Sequence, residues 1–254
     1  MSLPRRALLD TELNELNQSV LVLSSMVNKA IGDAVDALMT NDVALAEGVI
    51  AGDADINRLR FHIEEKAYVI LSTQQPLARD LRTVIAAIHF AIELERIGDH
   101  AAGIARIVTR MENAPLTDIL MATSADETLS QGDDVEEQII EGEVPTLRMK
   151  LSRLPKMTKR ARDMLSRATA AYIERDVEKA NAIIKRDRKL DIQYRKFFAE
   201  AMAEMGGPHD PEIPTYLLWI AHNLERIGDR TTNLAERVIF MATGQYTEVL
   251  EDYD

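Results

Sequence analysis

Leu13, Leu16, Val20, Leu23, Val27, Ile31, Ala34 and Leu38 recur at steps of three and four residues. That spacing keeps all of them on one face of an α-helix of about seven turns and on no single face of a strand. A helix with one long apolar face is not stable alone in water, so the chain has to bury this stripe against other helices. The sequence "MTND" stops the first stripe, with Asn41 or Asp42 placed to cap a second helix. Leu45, Val49, Ile56, Leu59, Ile63 and Ile70 carry that helix to about Ser72. "STQQP" is the next break, with Pro76 expected in the first turn of a third helix that runs to about Met111. Short connections between long amphipathic helices give an antiparallel three-helix bundle. Few aromatics, 5%, and only 11 glycines in 254 residues favour this over a sandwich or barrel.

The plan then repeats. "MTNDVALAEGVIAGDADIN" at 39–57 lies over "IERDVEKANAIIKRDRKLD" at 173–191, and "LERIGDHA" from Leu94 is matched by "LERIGDRT" from Leu224. An internal duplication of a three-helix unit follows, so the expected fold class is all-α, two pseudo-symmetric antiparallel three-helix bundles with six long helices. The expected division is 1–113 for the first repeat, 114–150 for an acidic connector and 151–254 for the second repeat. The connector contains "PLTDILMATSADETLSQGDDVEEQIIEGEVP", rich in Asp, Glu, Gly, Ser and Thr with Pro at both ends.

Several function classes lose support. A net charge of −12 disfavours binding to nucleic acid or an anionic bilayer, both of which need a cationic surface. No run of about 18 apolar residues is free of charges, so no membrane-spanning helix is expected. Cysteine is absent, which removes disulfides, thiolate metal sites and thiol nucleophiles. Phosphate loops, dinucleotide fingerprints, zincin motifs and the Glu-x-x-His pairs of di-iron bundles are all missing.

What remains is the repeated string. Residues four apart stack on one helix face, so Glu95 with Asp99, and Glu225 with Asp229, present paired carboxylates. The series Leu81, Ile85, Ile88, Ile92, Glu95, Asp99, Ala102 puts the first pair in line with an apolar stripe, where burial is costly without a cation. On the second helices Asp187 and Asp191 form another such pair, with Asp53 and Asn57 as their counterparts in the first copy. Facing helices can therefore gather about four oxygen ligands per copy, a donor set that suits Mg, Mn, Ca or Fe rather than structural zinc. Asn57 leaves the first copy one carboxylate short, so weaker binding is expected there. Interhelical ion pairs account for the same spacing, and both readings stay open. Gly98 and Gly228, in helix interiors, call for the close approach of another backbone or a ligand. His222, three residues before Glu225, is a further candidate ligand, whereas His100 points to another face.

"QQPLARDLR" with "ELERIGDHAAGIAR", and "RDVEKANAIIKRDRKLD" with "NLERIGDRTTNLAE", resemble the PhoU family of phosphate transport system regulators over both halves. The resemblance implies multinuclear metal clusters, iron or zinc in some members, held by paired E(D)xxxD motifs. These map onto Asp53 with Asn57, Glu95 with Asp99, Asp187 with Asp191, and Glu225 with Asp229. Asn57 departs from that pattern, Arg230 stands where many copies have histidine, and the connector is longer than the usual link. The resemblance further implies a cytoplasmic, non-enzymatic adaptor that represses the phosphate-starvation response. Its expected partners are a sensor histidine kinase and the ATPase subunit of the phosphate transporter, and its expected assembly is a homodimer that reaches the membrane only through those partners. The clusters are expected to hold Fe, Zn, Mn or Mg, and a metal-dependent hydrolase or oxidase and a purely structural helical scaffold are the alternatives.

Overall fold

The computed structural model describes residues 5–111, 147–205 and 211–245, so residues 112–146, nearly all of the expected connector, lie outside the described set. Among the described residues there are six α-helices and no strand: α1 Arg5–Thr40, α2 Val43–Gln74, α3 Ala78–Arg110, α4 Leu147–Glu174, α5 Val177–Met205 and α6 Glu212–Thr243. The first three pack on one another, as do the last three. Across the two halves α3 lies against α6 and α1 against α4, while α2 and α5 pack mainly within their own halves. Each junction therefore joins equivalent helices, the arrangement a duplicated unit produces when its copies pair face to face.

The duplication is written in the turns. Asn41 and Arg175, at equivalent positions, have left-handed φ of 51° and 55°. Asp42 and Asp176 follow them and cap the second helix of each half, accepting from Leu45 N and Lys179 N at 2.9 Å in both cases. Pro76 is not in the first turn of α3 as expected. Gln75 closes α2 in the left-handed region, Pro76 is buried directly after it, and α3 starts at Ala78. A proline just past a helix C-cap cannot continue the helix, so Pro76 terminates α2 rather than starting α3.

All eight residues of the α1 stripe are buried, as are Val49, Ile56, Ile63 and Ile70 of α2. The reading of α3 needs correction. Leu81, Ile85, Ile88 and Ile92 are only half-buried, and the fully buried row runs alongside them through Val84, Ala87, Phe90, Leu94, Ile97 and Ala101. Because α3 packs against α1, α2 and α6 at once, its apolar surface is wider than one stripe, and the carboxylates stand at its edge. Tyr172 of α4 enters this core from the other half. Its ring lies 4.3 Å from that of Phe90, and its hydroxyl donates to Asn17 Oδ1 at 2.7 Å.

Candidate functional site

In each half the second and third helices cross at the glycine of the repeated string. A Cβ on Gly98 would stand 3.2 Å from two methyl carbons of Ile56 and 3.7 Å from Asp53 Oδ1. On Gly228 it would stand 2.6 Å from both Asp187 Oδ1 and Leu190 Cδ2. Both glycines thus allow a close crossing and lodge an aspartate against bare backbone. The crossing is tighter in the second half. Gly228→Ala is accordingly expected to destabilise the protein by about 1–3 kcal/mol through overpacking. Gly98→Ala should stay within about 1 kcal/mol of wild type, since the gain in helix propensity offsets a milder contact. Urea unfolding of both variants measures the difference.

The second half brings oxygens of Asp187, Asp191 and Asp229 within 4.8 Å of one another. Asp187 Oδ2 accepts from Thr232 Oγ1 at 3.0 Å, but Oδ1 is buried with no hydrogen-bond partner. Asp229 Oδ2 is held by Arg226 Nη1 at 2.8 Å. Glu225 stands outside the group of three, yet its charge is felt at Asp187. Glu225 Oε2 is also buried without a hydrogen bond, with His222 Nδ1 3.6 Å away, too far for one. Burial first, and then the neighbouring carboxylate of Asp191, push Asp187 up to about 7, against the hydrogen bond from Thr232. Burial and Asp229 push Glu225 up to about 7, partly opposed by Arg226. Desolvation, followed by Arg226, lowers His222 below its ordinary value, so it is neutral at pH 7 and offers no counter-charge. The arrangement concentrates negative charge that a cation can satisfy.

The first half differs. Among the described residues no equivalent trio of acidic groups comes within 4.8 Å there. Asp53 is raised by burial and by Asp99, and Glu95 by burial, Asp99 and Asp53, so three carboxylates still face one another beside the half-buried Asn57, with Asp99 the most exposed. Arginines act against this: Arg106 lowers Asp53, and Arg60 lowers Glu95. Arg60 was not among the sequence candidates, although its place three residues after Asn57 on the same helix face could have marked it. Its guanidinium pairs with Glu64 at 3.3 Å and lies 4.4 Å above the Phe61 ring. The equivalent position in the second half is Tyr194, whose ring packs 5.6 Å from His222. A carboxylate is thus replaced by an amide and an aromatic by a cation, and both changes make the first cluster less negative than the second.

The two repeated strings also meet across the junction of α3 and α6. His100 Nδ1 and Asn223 Oδ1 share a hydrogen bond of 3.0 Å. Glu93 accepts from Arg96 at 3.1 Å, and from Asn233 and Arg230 of the other half at 3.3 and 3.5 Å. Arg230, where a histidine was the family expectation, therefore ties the halves together.

A PhoU domain matches residues 20–108 and again 154–238. The phosphate-specific transport system accessory protein PhoU homolog of Clostridium acetobutylicum is 30% identical over 246 residues, covering 96% of this chain and 98% of that protein. The like-named protein of Rhizobium meliloti is 31% identical over 236 residues, covering 92% and 87%. Crystal structures of PhoU from Pseudomonas aeruginosa and of the phosphate transport system regulatory protein PhoU from Streptococcus pneumoniae superpose with TM-scores of 0.76 and 0.75. Their identities are 28% and 29%; the first covers 93% of this chain and 99% of its own, the second 95% and 100%. These names describe accessory and regulatory proteins, not enzymes. Matched in both halves and aligned over nearly its whole length, this chain belongs to the PhoU family.

Proposed function

We propose that this protein is a cytoplasmic regulator of phosphate uptake that represses the phosphate-starvation response when phosphate is plentiful. It acts without catalysis, as a homodimer, by docking on the ATPase subunit of the phosphate transporter and on a sensor histidine kinase. The observation that carries this reading is the alignment of both halves with accessory proteins of the phosphate transport system. No helix among the described residues is long and apolar enough to cross a membrane, in keeping with action through membrane-bound partners. The working division stays 1–113, 114–150 and 151–254.

Asp187, Asp191, Glu225 and Asp229 would hold metal in the second half, and Asp53, Asn57, Glu95 and Asp99 in the first. The donor chemistry fits a hard or borderline cation: oxygens only, with one at Asp187 and one at Glu225 buried without a donor. When bound, the metal supplies positive charge between the crossing helices. The chain's own part is to fix the carboxylates, through the close approach at Gly228 and the bond from Thr232.

The test is a phosphate-starvation reporter at high phosphate in a host lacking its own PhoU. The host is complemented with wild type or with the paired Asp99→Asn, Asp229→Asn variant at equal protein level. Wild type is expected to restore repression and the variant to lose most of it. Repression by both would keep the regulator and reduce the carboxylates to structure, while repression by neither would count against the regulatory reading. Metal analysis of untagged protein after exposure to Fe, Zn, Mn or Mg should show the second half filling before the first.

A further inference from the structure

The sequence "QQPLARDLR" contributes nothing to the carboxylate sites, yet it brings two arginines to the start of α3. There, beside the start of α1 and the turn between α4 and α5, opens a pocket of about 310 Å³ whose lining includes Arg6, Asp10, Asn17, Arg79, Asp80 and Arg175. It lies roughly 24 Å along α3 from Glu95, at 1.5 Å per residue, and is separate from the helix crossings.

Arginines gather at this end of a chain whose net charge is −12. Two of the four are already engaged. Arg6 pairs with Asp80 at 2.6 Å and with Asp10 at 2.9 Å, and Arg82 Nε donates to the Met241 carbonyl at 3.2 Å. Arg79 is exposed and makes no ion pair among the described residues. Arg175 is drawn inward. Its Nη2 donates to the buried Thr83 Oγ1 at 2.8 Å, while Nη1 is buried with no acceptor. Burial, and then the adjacent charge of Arg79, lower Arg175 from its ordinary value, partly opposed by Tyr172 and Asp80. The turn adds a further sign: at the left-handed position where the first half has Asn41, a residue type that tolerates it, the second half keeps an arginine.

We propose that this pocket binds a small tetrahedral oxyanion of the phosphate class between Arg79 and Arg175. A guanidinium presents paired N–H donors that match two oxygens of such an anion, and Arg79 and Arg175 both line this pocket. Apart from Leu13 the lining is polar, and it offers no aromatic ring for a base, which fits inorganic phosphate with water rather than a nucleotide. Asp10 and Asp80 set the selectivity. Near neutral pH inorganic phosphate carries a proton that a carboxylate can accept, whereas sulfate carries none and is repelled. The inference is independent of metal occupancy.

Calorimetry on the full chain, freed of metal and phosphate, tests it with inorganic phosphate, sulfate and O-phosphoserine at matched ionic strength. Saturable phosphate binding is expected, with sulfate at least about tenfold weaker. R175Q and R79Q should each weaken phosphate binding about tenfold or more, as the loss of a charge-assisted contact does. Arg79 is exposed, so R79Q keeps the wild-type melting temperature and controls for misfolding in R175Q. The Asp99→Asn, Asp229→Asn variant should bind phosphate as wild type does. Absence of phosphate binding, equal binding by both arginine variants, or equal binding of sulfate would overturn the proposal. O-Phosphoserine binding about tenfold tighter than phosphate would overturn the free anion as ligand and assign the pocket to a phosphorylated partner.

Discussion

Metal-free protein is expected to lose about 4 kcal/mol of stability as pH rises from about 4 to about 7, and a divalent cation is expected to restore it. The sign follows from Asp187 and Glu225. Both are raised to about 7 in the folded chain, by burial first and by neighbouring carboxylates second, from ordinary values of 3.8 and 4.5. Between the unfolded and folded values the native state holds the protons more tightly, so unfolding releases them and stability falls with increasing pH. Below about pH 4 both states are protonated, and above about pH 7 neither is, so the loss is confined to that window. A shift of about three units at one group corresponds to about 4 kcal/mol, and since the carboxylates repel one another their shifts are shared rather than summed. Cation binding requires the deprotonated oxygens and opposes the same repulsion. At one hundred times its dissociation constant it adds about 2.7 kcal/mol, most effectively at the high end of the window. Urea titrations at three pH values, with and without manganese, measure both effects. Asp187→Asn should flatten the pH dependence and remove the metal response together. A metal-free protein whose stability stayed level or rose through the window would mean that the arginines already neutralise the cluster, which is the ion-pair reading of the same spacing.

Much of this architecture could be read before any coordinates. The α1 stripe is legible because that helix buries one face, and three-and-four spacing reports one face well. The duplication is legible because the same caps recur, with Asp42 and Asp176 doing equivalent work. The glycines were readable as points of close approach, though not what approaches. On α3 the same logic picked the wrong row. A helix covered by α1, α2 and α6 is apolar around most of its surface, and only packing decides that Leu94 and Ile97 go inside while Ile88 and Ile92 stay at the edge. The carboxylates carried a local signal, four-residue spacing on two helices, so all eight candidates could be named. The charges balancing them carried little. Arg60 needs the register of α2 against α3, and the contact of Glu93 with Arg230 joins residues 137 apart whose meeting depends on how the halves dock. Thr232 was missed for the same reason: its hydroxyl matters only because the close crossing at Gly228 brings Asp187 to it.

Phe90→Ala should cost about 3–5 kcal/mol, the range for emptying a fully buried aromatic site. Phe90 has no exposed surface, and its ring faces Tyr172 at 4.3 Å where α3, α1 and α4 meet. The substitution leaves a cavity at the junction of the halves and removes an aromatic contact worth about 0.5–1.5 kcal/mol beyond its area. Tyr172→Phe should cost about 1 kcal/mol through the lost bond to Asn17 Oδ1. The larger consequence concerns cooperativity. Buried residues of both halves belong to one continuous core, so unfolding of Phe90→Ala should remain a single transition at a lower midpoint. Phe197→Ala separates this from a merely local defect, because Phe197 is fully buried in α5, which packs mainly within its own half. Hydrogen exchange under conditions of global opening should then show protection lost equally around Gly98 and Gly228, although the substitution is in the second half alone. Loss confined to α4, α5 and α6 would mean that the halves open separately. In that case a change at one carboxylate site would have no route through a shared core to the other, and polar contacts across α3 and α6, those of Glu93 with Arg230 and Asn233 and of His100 with Asn223, would have to carry any coupling.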